Sequence, residues 1–304
     1  MNILNHNFLR QSLRPQFIKC RSKSSFDYCV ESVRNNDYEN FVCTLLLKNT
    51  SRAIAMAVRG FNIEVSRVAE QTSQPSIGLM RLKFWEDTID KCYQKDIKNV
   101  PQHPIAIELF KAVHNRKLTK RYFNNLVKSR VDNVNNRIFK TIDEMEKYSE
   151  QTVSNIYYLI LEGNGVRNVH ADHAASHIGK AQGIVQQLRS IPIARKINFI
   201  AIPQDVLTKH NVSHEDILRS KASEALNECT FEVASRAHQH LVKARNLLKD
   251  VPIEGRSTLL PATAVENYLN RLQNVQHNPL HASLQHRAWI WLPKLYYKSL
   301  KNEY

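Results

Sequence analysis

Apolar residues recur at three- and four-residue spacing along most of this chain, the period of helices that turn one face to a core. Over 37–48 the stripe is Tyr38, Phe41, Val42, Leu45 and Leu46. Asn49-Thr50-Ser51 then offers an N-cap for an Ala/Val-rich helix over 52–70. Leu79, Leu82, Ile89 and Tyr93 share a stripe over 76–93, with Phe84 and Trp85 outside it. Pro101 and Pro104 punctuate the chain before helices over 104–114 and 119–130. The period continues over 138–162 through Ile142, Met145, Val153, Ile156 and Leu159, and Asn164-Gly165 breaks it. An Ala-rich helix over 170–190 stops before Pro192, and a short apolar run from Ile197 to Ile202 closes on Pro203. Helices over 214–226, 228–249 and 264–275 precede an aromatic-rich end. With no repeat, low-complexity tract or linker after residue 30, the pattern predicts one compact all-α domain.

Composition supports that architecture and narrows the partners. The 304 residues are 42% hydrophobic, enough for a sizeable core, and contain only 7 Gly and 10 Pro, too few for a turn-rich β fold. A formal charge of +15 favours negatively charged partners. The basic residues are spread along the chain without a zinc finger or an aromatic RNA-binding signature, so nucleic acid is not expected as a partner. Cys20, Cys29, Cys43, Cys92 and Cys229 include no CxxC pair, which fits a reducing compartment. No run of about 18 apolar residues is present, so no spanning helix is expected. The first 25 residues carry Arg10, Arg14, Lys19, Arg21 and Lys23 among apolar and hydroxylated residues, and no acid precedes Asp27. That composition reads as a mitochondrial transit peptide over 1–25.

Three places carry candidate chemistry. Glu86 and Asp90, with Asp87 between them, share a helical face suited to Mg²⁺, although Lys91 and Lys95 stand ready to pair with them on a solvated surface. His173 and His177, four apart, can both reach one metal ion with Asp172 nearby, but no third ligand completes a site, and the same residues serve as a polar helix start. The segment from Trp289 to Lys298 interleaves aromatics with Lys; it suits a membrane interface or partner, and equally the closing of a core. Gly163-Asn164-Gly165 lacks the strand and the Gly-Lys-Ser/Thr of a phosphate loop and reads as a turn.

From Ile197 to Leu218 the sequence INFIAIPQDVLTKHNVSHEDIL is similar to a patterned segment of the squalene/phytoene synthases: an extended run, Leu-Pro-x-Asp, a helix, and a Val-Ser-x-Glu-Asp-Leu helix start. Ile178-Gly179-Lys180-Ala181 resembles the family's Leu-Gly-x-Ala, and Leu188-Arg189 the Leu-Arg before its second aspartate motif. Tyr148, Trp85 and His103-Pro104-Ile105 fall in the family's order, so the resemblance runs from about 37 to 275. It implies an isoprenoid-synthase-like helical bundle around a central cavity, over about 30–280, with 281–304 as an aromatic-rich tail. In the enzymes that cavity holds prenyl chains, and two aspartate motifs bind Mg²⁺ to neutralise the diphosphates.

The departures from that pattern bear on function. At the first motif Ser66 and Arg67 stand where paired aspartates belong, and Glu70 alone keeps an acid. At the second, Ser190 and Ala194 occupy the two aspartate positions, with Pro192 between them. Gly183 and Gln186 replace a Gln and an Asn on the preceding turns. Replacing the carboxylates by serine, arginine and alanine removes most of the negative charge that holds a magnesium cluster, so no catalysis, metal or cofactor is expected. One mitochondrial branch of the family departs in the same way, and the run His170 to Val185, HADHAASHIGKAQGIV, resembles it, as do Tyr148 to Thr152 and Ala237 to Arg245. Resemblance to that branch implies a non-catalytic assembly role for respiratory complex I, the alternatives being an isoprenoid- or lipid-binding module and a residual prenyltransferase working through an acid set such as Glu86, Asp87 and Asp90. Its expected partners are assembly intermediates or a membrane-arm subunit, at the matrix side of the inner membrane as a peripheral protein, with an apolar ligand possible in the cavity. The candidate partner surface is His170, Asp172, His173, His177, Lys180 and Gln182.

Overall fold

Helix boundaries fall where caps and prolines dictate. The computed structural model describes residues 24–72, 74–135 and 138–304. The transit peptide expected over 1–25 therefore lies, except for Ser24 and Ser25, outside the described residues. Ser24 accepts the Asp27 N–H at 3.1 Å while the Asp27 carboxylate accepts the Ser24 N–H, a capping box that starts α1 (Ser25–Asn36). The hydrophobic pattern does not predict this helix, because only Cys29 and Val33 of its residues are buried and they make too thin a stripe.

Next come α2 (Tyr38–Leu45) and α3 (Asn49–Ser66). The expected cap Asn49-Thr50-Ser51 lies inside α3; Lys48 is the N-cap, without a side-chain bond, and Arg52 Nη2 donates back to the Leu47 carbonyl at 2.9 Å. The expected helix to residue 70 stops at Ser66, and a separate turn follows over Val68–Gln71. α4 (Pro75–Cys92) and α5 (Pro104–Asn115) both begin on proline, whose missing N–H costs no bond there. α6 (Lys120–Asn135) follows.

The helix expected without interruption over 138–162 is divided. α7 (Ile142–Ser149) leads into a π turn, Glu150–Ser154, and then α8 (Asn155–Gly163). The division coincides with the crossing of α9 (Val169–Ser190), where a Cβ on Gly179 would lie 2.5 Å from Ser154 Cα and one on Gly183 3.0 Å from Ser149 Cα. Two helices meet backbone to backbone there because α9 carries no side chain at either position. Gly165 has φ +77°, so the predicted turn after α8 uses glycine's access to the left-handed region.

The run Ile197 to Ile202 forms no strand. It makes one isolated parallel bridge, Ile138 to Ile200, and just beyond it Gln204 N–H bonds the Phe139 carbonyl at 2.9 Å. The Ser213 capping box opens only a short helix, His214–Leu218. The two helices expected over 214–226 and 228–249 give way to one long helix, α10 (Glu224–Asn246), started by the Ser223 hydroxyl accepting the Leu226 N–H at 3.1 Å. α11 (Ala262–Asn274) and α12 (Trp291–Lys301) complete the chain.

Burial divides into two large apolar clusters that share α8. Tyr157 and Leu161 face the cluster formed with α9, α10 and α11. Ile156, Leu159 and Ile160 face the one formed with α3, α4, α5 and α6. A helix apolar on both sides belongs at the centre of a bundle. The expected aromatic tail is part of the fold: Trp291 and Leu295 are buried against Leu260 and Ala264, and Tyr304 donates its hydroxyl to the Ala244 carbonyl at 3.0 Å.

Candidate functional site

Between the two apolar clusters lies a cavity of about 570 Å³. It is open rather than collapsed, and its wall is polar. The stretches that resemble the two aspartate motifs both reach it: Ser66 and Glu70 from the end of α3 and the turn after it, and Gln186 and Ser190 from α9. The other two motif positions do not. Arg67 is exposed outside the lining, and Ala194 is 1% exposed within the apolar core. Ser190 spends its hydroxyl on the Gln187 carbonyl at 2.7 Å, and Ser66 on that of Ile63 at 3.1 Å.

Charge in the cavity comes mainly from arginine. Arg59, Arg130, Arg189, Arg271 and Arg287 line it, against Asp37, Glu39 and Glu70. Arg189 pairs with Glu39 at 2.6 Å. Arg59, 4% exposed, donates to Thr44 Oγ1 at 3.1 Å and reaches Asp37 at 3.8 Å. Burial raises the Asp37 pKa, and the Arg59 charge opposes that rise. Tyr157 donates to Gln182 in the cavity wall, and burial raises its phenol pKa. Apart from Arg189, which belongs to the Leu188-Arg189 pair noted in the sequence, none of these arginines is marked by a motif. The signal available in the sequence was a charge inside a helix otherwise buried, as with Arg59 in the Ala/Val-rich α3.

The candidate partner surface on α9 separates into faces. His170 and His173 are exposed, as a docking surface requires. Gln182 does not belong with them: it is 7% exposed and a helix face away, bonded to Tyr157. Lys180 lies 3.9 Å from Glu150, which also accepts bonds from Ser176 at 2.7 Å and Tyr158 at 2.5 Å. Asp172 is half-buried, and its pKa is raised by burial and by Glu162. His177 turns inward to α10, where its Nδ1 lies 2.9 Å from Nδ1 of His240. His240 in turn places Nε2 3.1 Å from Glu146, which Arg236 also holds. Two imidazole nitrogens at that distance share one proton, so both rings cannot be cationic together. Burial, then His240 and His173, hold His177 down at about 4.

The acidic set on α4 stays at the surface. Lys83 pairs with Glu86 at 2.8 Å and Asp87 at 3.2 Å, while Lys120 pairs with Asp90 at 3.0 Å. None of these acids lines the cavity.

The squalene/phytoene synthase family model matches residues 33–290. The chain belongs to the squalene/phytoene synthase family. Among curated relatives, the complex I assembly factor 6 homolog of Drosophila melanogaster is 44% identical over 281 residues, 91% of this chain and 84% of that protein. Complex I assembly factor 6 of Bos taurus is 40% identical over 277 residues, 91% of this chain and 82% of that protein. A dehydrosqualene synthase solved in complex with ligand superposes with a TM-score of 0.78 at 15% identity, covering 91% of this chain and 95% of that one, a likeness of fold.

Squalene/phytoene synthase enzymes imply Mg²⁺, and the residues here do not fit it. A cluster bridging diphosphates needs several carboxylates on facing helices. Here the lining presents Ser66, Glu70 and Ser190, while Ala194 has no side-chain donor and Arg67 lies outside the lining. Among the described residues no group of three or more His, Cys, Asp or Glu is arranged to hold a metal ion, the α9 histidines included.

Proposed function

We propose that this chain is a non-catalytic assembly factor of mitochondrial respiratory complex I, a squalene/phytoene synthase fold that no longer performs the family's chemistry. The observation that carries the reading is the cavity, in which arginines outnumber carboxylates and the motif positions that reach it are Ser66, Glu70 and Ser190. The assembly role follows from relatives that share about 40% of the sequence and bear that name. We place its action early, on biogenesis of a membrane-arm subunit, at the matrix face of the inner membrane. His170 and His173 are the proposed core of the protein-docking surface.

Two features support peripheral attachment. No helix among the described residues is long and apolar enough to cross a membrane. The outer side of α12 and the residues before it expose Trp289, Ile290, Tyr296, Tyr297 and Leu300, with Ile290 82% exposed, beside Arg287, Lys294 and Lys301. Aromatics and basic residues on one amphipathic helix suit an anionic lipid surface. Depleting the protein tests the function: assembled complex I falls while sterol and carotenoid-type lipids stay unchanged. Pyrophosphate release from prenyl diphosphates with Mg²⁺ would overturn the non-catalytic reading. A second reading, retention of an isoprenoid or other lipid in the open cavity, meets a wall that is mostly polar and bears arginines, and mass spectrometry of co-purifying isoprenoids or quinones tests it.

A further inference from the structure

Across the join of α5 and α6 the chain carries four cations in close order, Arg116, Lys117, Lys120 and Arg121. Anchors on several sides fix this join to the body. Leu118 is buried, and its carbonyl accepts the Tyr93 hydroxyl at 2.8 Å. Glu162 of α8 accepts the Thr119 N–H at 2.7 Å and the Thr119 hydroxyl at 2.5 Å. Tyr122, beneath the Arg121 guanidinium, stacks its ring 5.1 Å from that of Tyr158 on α8. Arg167, just before α9, donates to the Lys117 carbonyl at 2.9 Å. That bond brings the join against the start of α9, so Arg116, Lys117, Arg121 and Arg167 form one exposed patch with Val169 and His170. The acids at hand are already engaged: Asp90 holds Lys120 at 3.0 Å, Glu162 holds Thr119, and Asp172 is half-buried. Among the described residues Arg116, Lys117, Arg121 and Arg167 make no ion pair.

Like charges held close together repel one another, and a complementary surface relieves that repulsion while gaining association rate. We propose that this patch receives an acidic segment of a partner protein, extending the docking surface of His170 and His173 around the start of α9. Three of its four cations are arginines, whose planar forks pair with carboxylates in bidentate geometry. Because the join is pinned by bonds to α8 and α9, its charges hold their spacing without a partner, which lowers the ordering cost of docking. A lipid surface fits this patch less well. Attachment to lipid draws on exposed aromatics beside the charges, as on α12, whereas Val169, 73% exposed, is the one exposed apolar side chain among these residues. The inference rests on the reading of His170 and His173 as the partner-docking surface.

Fluorescence anisotropy of labelled polyglutamate with the full chain provides the test. Binding at low salt is expected, weakening as salt screens the exposed charges. Arg116→Glu with Lys117→Glu should weaken it roughly tenfold, since two attractions become repulsions. Arg195→Glu with Lys196→Glu makes the same change of net charge on exposed residues beyond the other end of α9, about 30 Å away at 1.5 Å per residue, and should change binding less than about twofold. Arg116→Gln with Lys117→Gln, expected to give an intermediate loss, serves if the reversed variant does not fold. In cells depleted of the protein, the Arg116/Lys117 reversal should restore assembled complex I less well than the Arg195/Lys196 reversal. The proposal is overturned if polyglutamate does not bind, if the two reversals weaken it equally, or if the Arg116/Lys117 reversal lowers co-sedimentation with anionic vesicles as much as it lowers polyglutamate binding. Full restoration of complex I by that reversal also overturns it and leaves the assembly role standing. If depletion itself leaves complex I unchanged, the assembly role is what fails, and polyglutamate binding still decides the patch.

Discussion

Glu266 on α11 fastens α12 to the body. Its carboxylate lies 2.8 Å from Arg245 of α10, 2.8 Å from Lys294 and 3.8 Å from Lys298 of α12. Burial by itself raises its pKa, but the hydrogen bonds from Arg245 and Lys294 outweigh it and bring the group down to about 2 from 4.5. Lys298 moves down as well, to about 8, chiefly through burial and the Arg245 charge. Arg245 and Lys294 therefore hold the carboxylate, and Lys298 adds little. A shift of this size corresponds to roughly 3 kcal/mol at about 1.4 kcal/mol per unit. Lys294 is half exposed, and screening there reduces the figure to about 2 kcal/mol. Glu266→Gln is expected to lose that amount at pH 6 in urea unfolding followed by tryptophan fluorescence, because Trp291 is buried on α12. The folded pKa lies below the unfolded one, so the contribution is complete above about pH 4.5 and disappears as pH falls through about 2. About half of the difference between wild type and variant should be gone near pH 3.2. A variant as stable as wild type at pH 6, or a difference that does not shrink in acid, would refute the reasoning.

Other perturbations separate the remaining parts of the argument. Gly179→Ala places a methyl 2.5 Å from Ser154 Cα and is expected to cost about 3 kcal/mol by forcing α9 from the π turn, read as a fall in the denaturant midpoint. His177 remains neutral when folded, held at about 4 against an unfolded value of 6.5, so the unfolded chain binds more protons between those values. Stability should fall as pH drops from about 6.5 toward 4, and His177→Gln should flatten that part of the melting-temperature profile. Ser190→Asp with Ala194→Asp is expected not to restore prenyl coupling, and to destabilise the chain because Ala194 is buried; product detected by chromatography after incubation with Mg²⁺ and prenyl diphosphate would contradict this. Replacing Tyr296, Tyr297 and Leu300 by Ser should reduce co-sedimentation with anionic vesicles severalfold while changing stability by less than about 0.5 kcal/mol each, since all three are exposed.

Local information reaches as far as the sequence pattern does. Periodic apolar stripes are written into α3, α4, α5, α9 and α11 because each buries one face or more, and the starts of α4 and α5 are marked by proline. The turn at Gly165 and the Ser213 capping box were equally legible, being set by residues within four positions of one another. Family membership was visible as well, since it is a property of residue order. Three decisions belong to tertiary contact. The π turn after Ser149 answers to Gly179 and Gly183, about thirty residues further along, and no local pattern announces it. His177 meets His240 across 63 residues, and only the crossing of α9 and α10 removes it from the surface where its neighbours His170 and His173 stay. The sign of the cavity was likewise hidden. Reading along the chain compares residues one stretch at a time; it took the closing of α3, α6 and α9 around one space to show that Arg59 and Arg130 stand there. Side-chain periodicity reports which face is buried, whereas the charge of a cavity is a sum over helices that the chain order keeps apart.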